Sequence, residues 1–393
     1  MNILRHIPAS ISKLHSEILP IKACGSFIYT NNNKYLDLTT GIGAMNTGHS
    51  HPIIKKKIIE QVDKYVHIPQ QVFKSHPIQI ELTQKLLKIM PDSSLDNFFY
   101  VNSGSEATDN AIKIARVSTG KSNIISMNGG FHGRTLGALS ITSSNLNCKK
   151  HITPLIPNIF FCAEYNKEAI DLVLQYQSAP ENTAAIILEP VQGERGIYNI
   201  NKDFIQYVRK LCNKHNIMLI IDEVQCGSMR TGTWWNIEQK EVIPDIMTFG
   251  KGIASGYPLA GVVTKSDIMN KLEKGCLGGT YGGNAICSAA ASATIDILSD
   301  KRIQKNVLEL GKYIKDNLVN IQGIKEIRQY GLMIGIEFDN DIIALDIVNK
   351  LRNDNILVLL AGNNNQYIRL LPPLNINDDE VEYFITSIKK IIK

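Results

Sequence analysis

Between residues 97 and 265 one pattern recurs: a short apolar run, a loop bearing glycine, serine or aspartate, then a stretch with helical spacing. The runs are Phe98–Val101, Asn123–Met127, Ala184–Leu188, Met218–Ile221, Ile246–Phe249 and Gly261–Thr264. Short, nearly continuous apolar strands alternating with helices predict an α/β fold with a mostly parallel sheet buried on both faces. Phe204, Val208, Leu211 and Cys212 have helical spacing between two of these runs, as a crossover helix requires. Sheets of this kind present ligands at the carboxyl ends of their strands, so the chemistry is to be sought just after each run.

Past about residue 290 the texture changes. A helical stretch from Ala289 to Leu298 precedes a strand-like run, Gly331–Phe338, and the chain closes on Val381, Phe384, Ile385, Ile388 and Ile392, an amphipathic helix by spacing. The expected division is residues 46–288 as a large domain, 289–393 as a smaller α+β domain, and 1–45 as a segment joining the smaller one. The triplets Asn31–Asn33 and Asn363–Asn365 read as turns.

Composition excludes several classes. Hydrophobic residues make up 44% and charged residues 20%, an ordinary globular balance. The net charge of +5 is spread along the chain without a basic run, which argues against a nucleic-acid partner and weakly favours anionic ligands. Seven scattered cysteines, with no CxxC pair and no metal-type spacing, predict reduced thiols, a cytoplasmic location and no metal site. No apolar run approaches the roughly 18 residues of a membrane span. Arg5, Lys13 and Lys22 against Glu17 raise a transit peptide, set aside because the segment leads directly into what reads as the first strand.

The loops after the strands carry the informative residues. In Asn102–Ala107 (NSGSEA), Gly104 permits a tight turn and a helix begins near Ser105, so free backbone N–H groups and a hydroxyl offer a phosphate site; Ser103 or Ser105 as a simple helix cap is the alternative. In Asp222–Gln225 (DEVQ), a carboxylate at the sheet edge can keep a ring nitrogen protonated, or bind a metal, or form a salt bridge. In Gly250–Gly252 a single lysine, Lys251, sits between glycines, where apolar surroundings lower its pKa and ready it for Schiff-base chemistry. Phe131 or His132 can stack on a flat ring, and Arg134 can fork onto a carboxylate. Glu189 and Glu194 end another strand, Arg369 lies in the smaller domain, and Thr280 offers a hydroxyl in a glycine-rich loop. Phosphate loop, carboxylate and isolated lysine together are far more specific than any one of them.

Taken in order from Tyr35–Asp37 to Arg369–Pro373, these motifs resemble the class III (ω-amino acid) aminotransferases of pyridoxal-phosphate fold type I, nearly over the whole chain. The resemblance implies that Lys251 carries pyridoxal 5′-phosphate as a Schiff base and moves the substrate proton. It implies that Asp222 pairs with the ring nitrogen and Gln225 with the 3′-oxygen. Gly104 and Ser105 would bind the phosphate together with Thr280 of a partner subunit, making a homodimer the minimal active unit. Phe131 would stack on the ring with His132 beside it, and Glu189 and Val224 would line the cofactor pocket. Arg134 would hold a carboxylate of 2-oxoglutarate or glutamate, and Glu194 with Arg369 would form a gate for two kinds of substrate. The partners so implied are an amino donor and a 2-oxo acid acceptor.

The stretch Gly41–His49 (GIGAMNTGH), with Ile42, and Phe131–Ser140 (FHGRTLGALS) resemble the 4-aminobutyrate branch, so the expected reaction gives succinate semialdehyde and glutamate. Ornithine and acetylornithine are the alternatives, followed by a same-fold decarboxylase or aminomutase. Two departures bear on the substrate. Arg195 replaces a usually small residue, and either competes with Arg369 for Glu194 or recognises a different acidic substrate. Ser228–Met229 replaces a small, glycine-bearing pair. A nicotinamide-dependent oxidoreductase is disfavoured because no GxGxxG follows a strand.

Overall fold

In the computed structural model, which describes residues 14–392 together with Pro8 and Ile11, the N-terminal part forms three short strands. These are β1 (Lys22–Cys24), β2 (Phe27–Tyr29) and β3 (Lys34–Asp37), an antiparallel meander. Asn31–Asn33 makes the expected turn: the Thr30 hydroxyl accepts from the N–H groups of Asn32 and Asn33. Arg5 and Lys13, which raised the leader, lie outside the described residues. Two helices follow, α1 (Pro52–Val62) and α2 (Pro77–Ile89), each with proline in its first turn, where its missing N–H costs nothing.

The central sheet has seven strands: β4 (Asn97–Val101), β5 (Asn123–Met127), β6 (Ile159–Cys162), β7 (Thr183–Leu188), β10 (Met218–Asp222), β11 (Ile246–Phe249) and β12 (Ala260–Thr264). A small hairpin, β8 (Val191–Gln192) and β9 (Tyr198–Asn199), follows β7. The order is β4-β12-β11-β10-β7-β5-β6, parallel except for β12, which runs antiparallel to both of its neighbours. Six of these strands were expected. The edge strand β6 was not, since its four residues are mostly only half-buried and give a weak apolar signal. Two apolar cores cover the faces. One includes Ile125, Ile186, Leu219, Ile221 and Phe249, the other Ile124, Ala185, Ile187, Ile220 and Val262, the alternation that a sheet buried on both sides dictates. The crossover helix α4 (Lys202–His215) buries Phe204, Val208, Leu211 and Cys212, while α3 (Gly104–Thr119) packs across the other face.

The C-terminal part comprises β13 (Glu326–Tyr330), β14 (Met333–Glu337), β16 (Leu359–Ala361) and β17 (Tyr367–Leu370) in one antiparallel sheet, with helices α6 (Lys301–Leu318), α7 (Asp341–Asn353) and α8 (Asp378–Ile392). Strand β15 (Ile356–Leu357) pairs in parallel with β3 of the N-terminal meander. The helix α5 (Ala285–Leu298) packs on α1 and α2, and the 288/289 division falls inside it. Arg230 fastens the parts together. Fully buried, it donates to the carbonyls of Leu332 and Pro372 and to Asn46 Oδ1.

Candidate active site

The carboxyl ends of β4, β5, β7, β10 and β11 converge on one cavity lined by Gly104, Ser105, Phe131, His132, Gly133, Glu189, Asp222, Val224, Gln225 and Lys251. Asp222 closes β10 and stands in register opposite Thr248 on β11. Its Oδ1 accepts from the Thr248 hydroxyl and the Val224 N–H, both at 3.0 Å, while Oδ2 lies 2.8 Å from His132 Nδ1. Three partners therefore fix a carboxylate that is only 3% exposed. Burial opposes charge on His132, but the hydrogen bond and charge of Asp222 outweigh it and hold the imidazole above its ordinary pKa. The other ring nitrogen, Nε2, is buried with no hydrogen-bond partner among the described residues. Glu189 accepts from the Phe131 N–H at 2.8 Å, and burial pushes its carboxyl up.

Lys251 follows Gly250 directly after β11 and is held at φ 45°, a left-handed backbone unusual for a lysine. The turn is tight on its far side too: a Cβ at Gly252 would fall 2.2 Å from Asn46 Nδ2. Burial lowers the Lys251 pKa, with Arg369 adding to the effect against the opposing charges of Glu194, Glu189 and Asp222. A lowered pKa raises the fraction of neutral, nucleophilic amine.

The α3 start is built for close approach. Ser103 is the cap, and a capping box links it to Glu106: the Ser103 Oγ accepts from the Glu106 N–H, and the Glu106 carboxylate accepts from the Ser103 N–H. Ser105 is thereby free to face the cavity, where its Oγ accepts from the Arg134 N–H at 3.1 Å. A Cβ at Gly133 would lie 2.2 Å from that Oγ, and one at Gly104 would lie 2.8 Å from Val224. These residues can hold a flat pyridine ring bearing a phosphate: a helix start with close-packed glycines, an aromatic side chain, a buried carboxylate and a desolvated amine.

Glu194 and Arg369 form an ion pair, Oε1 to Nη1, at 2.7 Å, and Gln225 Oε1 accepts from the same Nη1 at 3.5 Å. Burial disfavours the Glu194 carboxylate, but the Arg369 charge prevails and lowers its pKa. Arg195 does not compete for Glu194 in this structure. Its guanidinium lies against two adjoining tyrosines, 4.6 Å from the Tyr198 ring centre and 5.0 Å from that of Tyr165. Arg134 is exposed, 5.8 Å from the Phe131 ring centre. Five expected residues do not line the cavity within the single chain: Glu194, Arg369 and Arg134, together with Ile42, 48% exposed at φ 64°, and Thr280, on an exposed loop. Ser228 and Met229 have φ of 55° and 66°, which is why glycine suits this turn, and the Ser228 carbonyl accepts from Asn46 Nδ2.

Sequence reasoning missed Thr248, Gly133 and Thr142, whose hydroxyl accepts from the His132 N–H at 2.9 Å. Thr248 was accessible in principle, as the polar residue of an apolar strand two positions before Gly250.

Comparison with known proteins agrees with this geometry. The model of the family described as "Aminotransferase class-III" matches residues 10–392. The acetylornithine aminotransferase of Bacillus cereus is 36% identical over 377 residues, covering 95% of this chain and 94% of that protein. The 4-aminobutyrate aminotransferase of Escherichia coli is 35% identical, covering 95% of this chain and 93% of its own. Among solved structures, an ornithine aminotransferase from Toxoplasma gondii superposes with a TM-score of 0.90 at 27% identity, covering 99% and 92% of the two chains. The chain belongs to the class III aminotransferases, enzymes of the pyridoxal-phosphate-dependent fold type I.

Proposed function

We propose that the enzyme transfers the amino group of an ω-amino acid, with 4-aminobutyrate as the preferred donor, to 2-oxoglutarate. Bound pyridoxal phosphate supplies the electron sink. The observation that carries the reading is the placement of the half-buried Lys251, which lines the cavity, three residues beyond Thr248, the β11 partner of Asp222.

Lys251 would hold the cofactor through its neutral amine, and its Nζ, once free, would take up and return the substrate proton. Asp222, itself held by His132 and Thr248, would keep the ring nitrogen protonated. Gln225 would bind the 3′-oxygen, Phe131 would cover the ring, Glu189 and Val224 would close the pocket, and Gly104 with Ser105 would bind the phosphate. Thr280 serves the site of a partner subunit in a homodimer, which fits its exposure in the single chain. Arg134 takes a substrate carboxylate. Glu194 masks Arg369 while an ω-amine is bound and frees it for the α-carboxylate of glutamate, a role their 2.7 Å pairing allows.

The test is glutamate formation from 2-oxoglutarate with 4-aminobutyrate, ornithine and acetylornithine in turn. The expected kcat/KM for 4-aminobutyrate exceeds the others by at least about 10-fold. A higher value for either other amine overturns the donor assignment. Release of CO2, or turnover without an oxo acid, would make the enzyme a decarboxylase or an aminomutase instead.

A further inference from the structure

A second cavity opens beside Arg195, the residue that follows Glu194. It measures about 520 Å³, within the size range of small-molecule sites, and Arg195 supplies its charged group. Asn128, Ser143, Asn145, Asn147 and Asn363 surround it with neutral hydrogen-bonding groups, and no carboxylate is among its lining residues. One loop of its lining continues into the active-site cavity. Gly129 opens the loop that carries Phe131, and the Arg195 stem lies so close that a Cβ at Gly129 would meet Arg195 Cδ at 2.6 Å. The backbone carbonyl of Glu194, next in the chain to Arg195, accepts from the Gly362 N–H at 2.8 Å, which sets Asn363 at the cavity rim.

The arginine is held ready and left uncompensated. Its guanidinium rests against Tyr165 and Tyr198, whose ring centres are 5.2 Å apart, and Tyr165 is itself fixed by donating to Gln192 Oε1 at 2.7 Å. With no carboxylate in the cavity lining, the Arg195 charge is uncompensated there, and an incoming anion compensates it. The planar fork suits a carboxylate, which it can grip through two N–H groups. A phosphate would want a cradle of backbone amides as well, but the N–H groups of Ser143 and Ser144 are already bonded to the Gly130 carbonyl.

We infer that this cavity is a binding site for a small polar carboxylate, distinct from the amino-transfer site and anchored by Arg195. The assignment does not depend on which amine the active site accepts. Because Arg195 directly follows Glu194 in the chain, a carboxylate bound here contacts the chain next to the gate.

The experiment is calorimetric titration of the cofactor-loaded enzyme with citrate, and separately with inorganic phosphate. The wild type should bind citrate at one site, more tightly than phosphate. Arg195→Gln should weaken citrate by at least about 10-fold. Ser144→Asp, which sets a like charge at the rim, should do the same, and keeps the test decisive where Arg195→Gln fails to fold. Arg369→Gln, which disables the active-site arginine, should leave citrate binding within about 2-fold of the wild type, since Arg369 does not line the cavity. No citrate binding to the wild type, unchanged affinity in folded Arg195→Gln or in Ser144→Asp, or loss confined to Arg369→Gln would overturn the inference. Phosphate binding tighter than citrate would overturn the carboxylate assignment.

Discussion

Individual side chains in this site act through what burial does to their charge. Lys251 is desolvated and its pKa lowered, whereas Asp222 holds the His132 imidazole above its ordinary pKa against burial. The same physics reaches Glu223, one residue past Asp222. It is buried, accepts from the Ile237 N–H at 2.7 Å and from the Cys226 thiol at 3.0 Å, and burial pushes its carboxyl from 4.5 up to about 7. The folded chain therefore keeps this proton between about pH 4.5 and about pH 7, where the unfolded chain has released it, so Glu223 makes stability fall as pH rises through that window. Urea unfolding across the window should show a shallower loss of stability in Glu223→Gln than in the wild type. Equal slopes for the two proteins would contradict this account of Glu223.

At the scale of elements, the site depends on loops that approach without room for a side chain. Gly133 has φ of 133°, and a Cβ there would overlap the Ser105 hydroxyl at the start of α3. Gly133→Ala is expected to cost roughly 1–3 kcal/mol of stability and to weaken cofactor retention, measured by thermal unfolding and by dialysis of the loaded enzyme. Wild-type retention in the variant would show that this contact does not shape the phosphate site. Much of this level was legible beforehand. The apolar runs placed six strands, and the NSGSEA loop gave the helix start, although Ser103 rather than Ser105 turned out to be the cap. What escaped depends on pairing between distant segments. That Thr248 faces Asp222 follows only from the β10–β11 register, and β6 earns its place by pairing with β5 rather than by its own pattern. Arg195 read as a rival for Glu194 because the two are adjacent in sequence, and nothing local revealed the two tyrosines that hold it elsewhere.

At the scale of the molecule, the single chain leaves Thr280 on an exposed loop, and a homodimer sharing its sites would give that residue a role. Sharing predicts complementation. Thr280→Asp and Lys251→Ala should each be nearly inactive alone. Co-expressed, they form mixed dimers in which one site keeps both wild-type residues, so about a quarter of wild-type activity should return. Recovery absent from purified mixed dimers would rule out a shared site.

The central claim is that Lys251 holds the cofactor from which an ω-amine takes over. The most direct measurement is the visible spectrum of purified protein supplied with pyridoxal phosphate, titrated with 4-aminobutyrate and then with 2-oxoglutarate. The account predicts a band from lysine-bound cofactor that 4-aminobutyrate bleaches and 2-oxoglutarate restores, and that is missing from Lys251→Ala. The same band in folded Lys251→Ala, or none in the wild type, would contradict it.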